Sequence, residues 1–151
     1  MDRIGQTSRL NTVNAAIGRV QLRRLEKWNS LRRQVSKIYR RELSNVPGVS
    51  LPPEETSQET AVYHLFVIRS KLRDHIKLFL EKNHVETGVH YPIPIHLQKP
   101  YRELFGYGPG RFPVSERLSE TVLSLPIYPE LTEEQIIHVC TLVKQSLKAS
   151  N

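Results

Sequence analysis

Two histidines and a tyrosine crowd into residues 88–96, GVHYPIPIH, in a chain that has six histidines in all. His90, Tyr91 and His96 could ligate a metal, form a catalytic pair, or offer polar tips to a ligand from a proline-stiffened wall. A metal centre needs several N, S or O donors at fixed spacing. Neither histidine belongs to an i, i+4 helical pair, and no carboxylate or thiolate falls inside the segment. No metal ligand set is therefore assigned. A rigid turn with solvent-edge imidazoles and the wall of a ligand pocket both stay open, and the prolines suit either.

Other reactive side chains are sparse. His64 alternates with Val62, Phe66 and Ile68, which reads as a histidine hydrogen-bonded within a sheet or, less simply, as a catalytic group. Glu116 in FPVSE falls in a helical first turn, where a carboxylate is stabilising in any case, and a ligand contact is the other reading. Cys140 is the one cysteine, which excludes an internal disulfide and a cysteine-based zinc cluster. It sits in the apolar helical stretch IIHVCTLV and reads as a small core residue. There is no phosphate-binding loop ending in Lys-Ser/Thr, no G-x-G-x-x-G and no G-x-S-x-G elbow. No catalytic residue is assigned from the sequence alone.

The elements that must position these groups belong to a chain of 151 residues, 38% hydrophobic and 25% charged, enough for one globular domain. No apolar run approaches the ~20 residues that span a bilayer. No apolar signal-peptide core follows MDRIGQTSRL, so the expected setting is the reducing cytoplasm, without membrane contact. The net charge is +7, and residues 19–42 hold nine Lys or Arg against Glu26 and Glu42. That segment alone carries an excess of seven, so the rest of the chain is balanced. A solvated helix face, docking on an acidic surface, and nucleic-acid binding are the readings of this stripe. Aligned cations would gain from counterion release on a phosphate backbone, but no aromatic interleaving accompanies them.

From about Arg9 to Leu43 there is no proline. Leu10, Val13, Ile17, Val20, Trp28, Leu31, Val35 and Ile38 recur at helical spacing, with the cations roughly opposite. A continuous helix of that length would span about 50 Å. It either kinks, at Gly18 or Asn29-Ser30, or packs on something outside this chain. A turn at 45–48 and a polar loop follow, then a strand over 61–69, a helix near 70–83 and a second strand over 84–89. A Pro- and Gly-rich stretch contains a short helical patch at 101–104. Pro113 opens a helix to about Val122, a brief extended piece follows, and Thr132 caps a last helix to about Leu147. The expected class is α+β: a small antiparallel or mixed sheet of about three strands with helices on one face, preceded by a long amphipathic helix over 1–45.

The succession GQTSRLNTVNAAIGRVQLRRLEKW, YHLFVIR, GVHYPIPIHLQKPY and FPVSERLSETVLSLPIYPELTEEQI resembles the C-terminal part of the DegT/DnrJ/EryC1/StrS family. Those are pyridoxal-phosphate-dependent aminotransferases that act on keto-sugars attached to nucleotides. The likeness runs from about Gly5 to Leu147 and implies a fold-type-I aminotransferase small domain. A preceding large domain would hold the Schiff-base lysine, the aspartate on the pyridine nitrogen and most phosphate contacts. None of the eight lysines (27, 37, 71, 77, 82, 99, 144 and 148) lies in a context like the family's Schiff-base segment. The family's G-x-N-x-R segment, which reaches the cofactor phosphate of the neighbouring subunit, matches residues 5–9. Thr7 replaces the asparagine with a shorter-reaching hydroxyl, and Arg9 keeps the charge. The resemblance makes His90, Tyr91 and His96 substrate-binding residues. It implies a nucleotide-sugar substrate, a large domain or second subunit as partner, a homodimer, and pyridoxal phosphate in the complete enzyme. The chain alone is expected to bind none and to be inactive. A stand-alone module that uses the basic helix on nucleic acid or an acidic protein is the alternative.

Overall fold

The computed structural model describes residues 8–56 and 58–149. The expected long helix is two: α1 (Thr12–Leu22) and α2 (Leu25–Leu43). The break falls at Arg23-Arg24, where the Arg24 amide donates to the Gln21 carbonyl at 2.9 Å, and neither expected kink site is used. It lies where the chain leaves the packed body. α1 buries no residue, whereas α2 buries Asn29, Val35, Ser36, Tyr39 and Leu43. Asn11 begins α1, its side-chain oxygen accepting from the Val13 amide at 2.8 Å.

Strand β1 (Phe66–Arg69) and strand β2 (Val122–Leu125) form an antiparallel pair, in register Phe66–Leu125 through Arg69–Val122. The sheet thus has two strands where about three were expected. On the free side of β2, the stretch expected to be a strand over 84–89 pairs at Gly88–Ser124 alone. On the free side of β1, Ser50 bridges Arg69. Prolines limit both ladders: Pro52, in register with Val67, and Pro126, in register with Glu86, lack the N–H of the next pair. The first half of the expected 61–69 strand is not extended either. Tyr63 sits at φ 48° and His64 is exposed at a bend, so His64 is not a histidine held inside a sheet.

Among the described residues the remaining helices are α3 (Arg73–Lys82), α4 (Lys99–Phe105), α5 (Pro113–Thr121) and α6 (Glu133–Lys148), with a 3-10 turn at Ile95–Leu97. α6 starts with a reciprocal box. The Thr132 hydroxyl accepts from the Gln135 amide at 3.3 Å, and the Gln135 side chain accepts from the Thr132 amide at 3.0 Å. Its buried residues Ile136, Val139, Cys140 and Val143 follow the 3–4 spacing and pack between α2 and α3. Tyr39 of α2 closes the core over the sheet. Its ring stacks on Phe66 at 4.9 Å, and its hydroxyl donates to the Pro126 carbonyl at 2.9 Å, just after β2.

Candidate functional site

Beside β2, an open cleft of about 630 Å³ lies between residues 90–95 and the start of α5. Ile93, Phe112, Val114 and Leu118 give it apolar walls, while His90, Tyr91, Arg111 and Ser115 bring polar groups to it. This is the composition of a small-molecule site: mostly apolar, with a few polar groups that can orient a ligand.

His90 is fixed from below. Gly88 pairs with Ser124 through two backbone hydrogen bonds, 2.7 and 3.1 Å, and His90, two residues on, folds its ring back over Gly88. A Cβ on Gly88 would lie 2.5 Å from His90 Cε1, so only glycine leaves room for the ring. His90 Nδ1 is 3.0 Å from Ser124 Oγ. Tyr91 meets the His90 ring edge-on at 5.6 Å and is 71% exposed at the cleft.

The structure separates His96 from these two. It is 7% exposed, lies behind the cleft, and its Nε2 bonds Glu116 Oε1 at 2.9 Å. The Glu116 carboxylate also accepts from the Gly110 amide at 2.8 Å and the Phe112 amide at 3.2 Å. The Gly110 amide, and then the Phe112 amide and the His96 imidazole, hold the Glu116 carboxyl below the usual carboxylate range against the opposing effect of partial burial. Loop 106–112 is thereby clasped to α5. An aromatic ladder buttresses it: Phe105 to Tyr107 at 5.4 Å, Tyr107 to Phe112 at 5.6 Å, Phe112 to His96 at 4.8 Å.

Arg73 also went unnoticed in the sequence. Its guanidinium is buried and donates to the carbonyls of Ser119 (3.1 Å) and Val122 (3.2 Å), pinning the α5–β2 junction that floors the cleft. The signal was present: Arg73, Ile76 and Leu80 share one helical face. Gly88 and Ser124 are 36 positions apart, and no local spacing joins them.

Of the two residues implied for a cofactor phosphate, Arg9 is exposed just before α1, and Thr7 lies outside the described residues. Among the described residues, no three His, Cys, Asp or Glu are grouped to hold a metal ion, and no helix is long and apolar enough to cross a membrane. The cleft lining contains no lysine for a Schiff base and no carboxylate for a pyridine nitrogen. Six of the eight lysines are exposed; Lys77 pairs with Glu81 and Lys144 with Glu42. These residues do not make a pyridoxal-phosphate site by themselves.

The profile of the DegT/DnrJ/EryC1/StrS aminotransferase family matches residues 1–144. The chain belongs to that family. It is 44% identical over 140 residues to the erythromycin biosynthesis sensory transduction protein EryC1 of Saccharopolyspora erythraea, covering 93% of this chain and 38% of the relative. It is 36% identical over 144 residues to dTDP-3-amino-3,4,6-trideoxy-alpha-D-glucose transaminase of Streptomyces venezuelae, covering 93% of this chain and 37% of the relative. The crystal structure of S. venezuelae DesV in complex with a ketimine intermediate superposes with a TM-score of 0.89 at 33% identity, over 95% of this chain and 38% of that one. The PLP-form of the putative sugar aminotransferase Spr1654 from Streptococcus pneumoniae shares the fold at 22% identity, TM-score 0.84, over 94% of this chain and 37% of that one. The chain therefore spans about 38% of the length of the relatives it matches.

Proposed function

We propose that this chain is the C-terminal portion of a pyridoxal-phosphate-dependent aminotransferase for nucleotide-linked keto-sugars, and that it supplies one wall of the substrate pocket together with interdomain and dimer contacts. The observation that carries the reading is the cleft beside β2, where a family-matched histidine and tyrosine converge with an arginine on an apolar floor. His90 and Tyr91 offer hydrogen-bonding tips to sugar oxygens, and Arg111 offers a cation to a phosphate. His96 does not face the ligand in this reading; it holds Glu116 and, through it, the loop that carries Arg111. When bound, the cofactor would supply the amino-transfer chemistry, and this chain's part is to bind, orient and exclude water.

α1 supports the docking half of the proposal. Leu10, Val13, Ile17 and Val20 are 52–75% exposed along one stripe. Burial of such side chains against the remainder of the enzyme would be worth up to about 1.5–3 kcal/mol each. The cations Arg19, Arg23, Arg24 and Lys27, on the other side of the helix and around its break, would meet acidic groups of the same partner.

Two measurements test the proposal. Titration of the ¹⁵N-labelled chain with dTDP-glucose should move the signals of His90, Tyr91 and Arg111, and shifts confined to another face would refute the pocket wall. Borohydride reduction with pyridoxal phosphate, followed by mass mapping, should give no stoichiometric adduct; one lysine modified in full would overturn the division of labour. The nucleic-acid alternative requires DNA affinity whose salt slope reflects several phosphate contacts and which persists at physiological salt.

A further inference from the structure

We infer that Ser124 and Gly88 are positioning residues that hold His90 in one tautomer, presenting a protonated Nε2 to an oxygen acceptor on the ligand; the ligand half of this inference rests on the cleft reading above. Ser124 is 4% exposed and lies mid-strand in β2, its own amide and carbonyl both paired with Gly88. Among the described residues, the hydroxyl makes one hydrogen bond, at 3.0 Å to His90 Nδ1. The neutral imidazole offers one donor and one acceptor, so two arrangements exist. If Nδ1 carried the proton, Ser124 Oγ would accept it, and the buried hydroxyl hydrogen would have nowhere to go. A buried donor left unmet carries its full desolvation penalty. If the hydroxyl instead donates to Nδ1, both partners of that bond are satisfied and the proton of the neutral ring sits on Nε2. Nε2 makes no hydrogen bond to a described residue, and His90 lines the cleft. It is then a fixed donor, suited to a phosphate, carbonyl or lone-pair-bearing hydroxyl oxygen and unsuited to a ligand N–H. Gly88 completes the seat, because the Cβ position 2.5 Å from Cε1 and 3.2 Å from Nδ1 is space the ring occupies.

The test is a long-range ¹H–¹⁵N spectrum of the chain labelled at histidine nitrogens, with His90 assigned by loss of its signals in His90→Asn. The parent should show a single tautomer, acceptor-type at Nδ1 and protonated at Nε2. Ser124→Ala should scramble it and weaken dTDP-glucose binding by about five- to tenfold, the worth of one neutral hydrogen bond. Ser124→Thr should restore both. Gly88→Ala should displace the ring while leaving the Phe66–Leu125 ladder signals in place, which separates the loss of the seat from a loss of fold. A proton on Nδ1 in the parent, or a single tautomer that survives Ser124→Ala, overturns the inference. If the tautomer behaves as stated but dTDP-glucose leaves the His90 signals unmoved, the cleft reading falls, and the ligand half of the inference falls with it.

Discussion

Replacing Arg73 with methionine isolates what its guanidinium does for the cleft floor. Methionine keeps much of the aliphatic stem that packs beside Ile76 and Leu80 and removes the charge. Two carbonyls, Ser119 and Val122, lose their donor at 3.1 and 3.2 Å. The Asp74 contact adds little: Nε lies 2.6 Å from Oδ1 without a hydrogen-bond alignment, and the Asp74 side chain is 79% exposed, so solvent screens it. Each carbonyl left unmet costs about 1–2 kcal/mol, and relief from burying a cation returns part of that. The expected net loss is about 1–3 kcal/mol, or roughly 3–10 °C in Tm for a chain of this size. Urea unfolding should show a lower midpoint at unchanged slope. Amide exchange should accelerate first at residues 119–124. A variant as stable as the parent, or more stable, would refute the reasoning, since it would mean that desolvation of the guanidinium outweighs both hydrogen bonds.

Tyr39→Phe keeps the stack on Phe66 and strips the Pro126 carbonyl of its donor, so stability should fall by about 1–2 kcal/mol by denaturant midpoint. Burial pushes the Cys140 thiol up to about 12, so Ellman's reagent should leave it untouched in the folded chain and label it fully in denaturant. The Glu116 carboxyl is depressed in the folded state, so the hold on loop 106–112 is complete above the usual carboxylate range and is lost as pH falls below it; amide exchange at Gly110 and Phe112 should show this in the parent, with no such pH dependence in Glu116→Gln. Removing residues 1–22 should change the unfolding midpoint by no more than about 0.5 kcal/mol equivalent, because α1 buries nothing.

What the sequence made legible divides along the range of the interactions. α6 could be read in full, since its 3–4 apolar spacing and the Thr132-x-x-Gln135 box are local. The 99–105 and 113–121 helices were legible for the same reason. Residues 61–65 were misread as strand because an apolar run on both faces does not reveal that the chain turns at Tyr63. The amphipathic stripe through Arg23-Arg24 was misread as one helix because periodicity reports which face is apolar, not whether the axis is continuous. At the site, the motif GVHYPIPIH was visible, but its division of labour was not. His90 is seated by a residue 34 positions away and His96 is bonded by one 20 away. Both partners are set by the packing of β2 and α5, which no window over residues 88–96 contains.

The charge and the exposed apolar stripe bear on each other in the same way. Arg40 is bonded to the carbonyls of Pro52 and Pro53, and Arg41 pairs with Glu42 and Glu133, so the C-terminal end of the basic segment braces the body itself. Arg19, Arg23, Arg24 and Lys27 make no side-chain bond to a described residue, and the stripe Leu10, Val13, Ile17 and Val20, roughly opposite them, is exposed. A merely solvated helix would explain the cations but leave Val13, Ile17 and Val20 in water on an 11-residue helix too short to be stable alone. A purely electrostatic surface for nucleic acid explains the same half. The docking proposed above would account for both, and the Arg23-Arg24 break would then separate α2, which packs on this body, from α1, which buries no residue of its own.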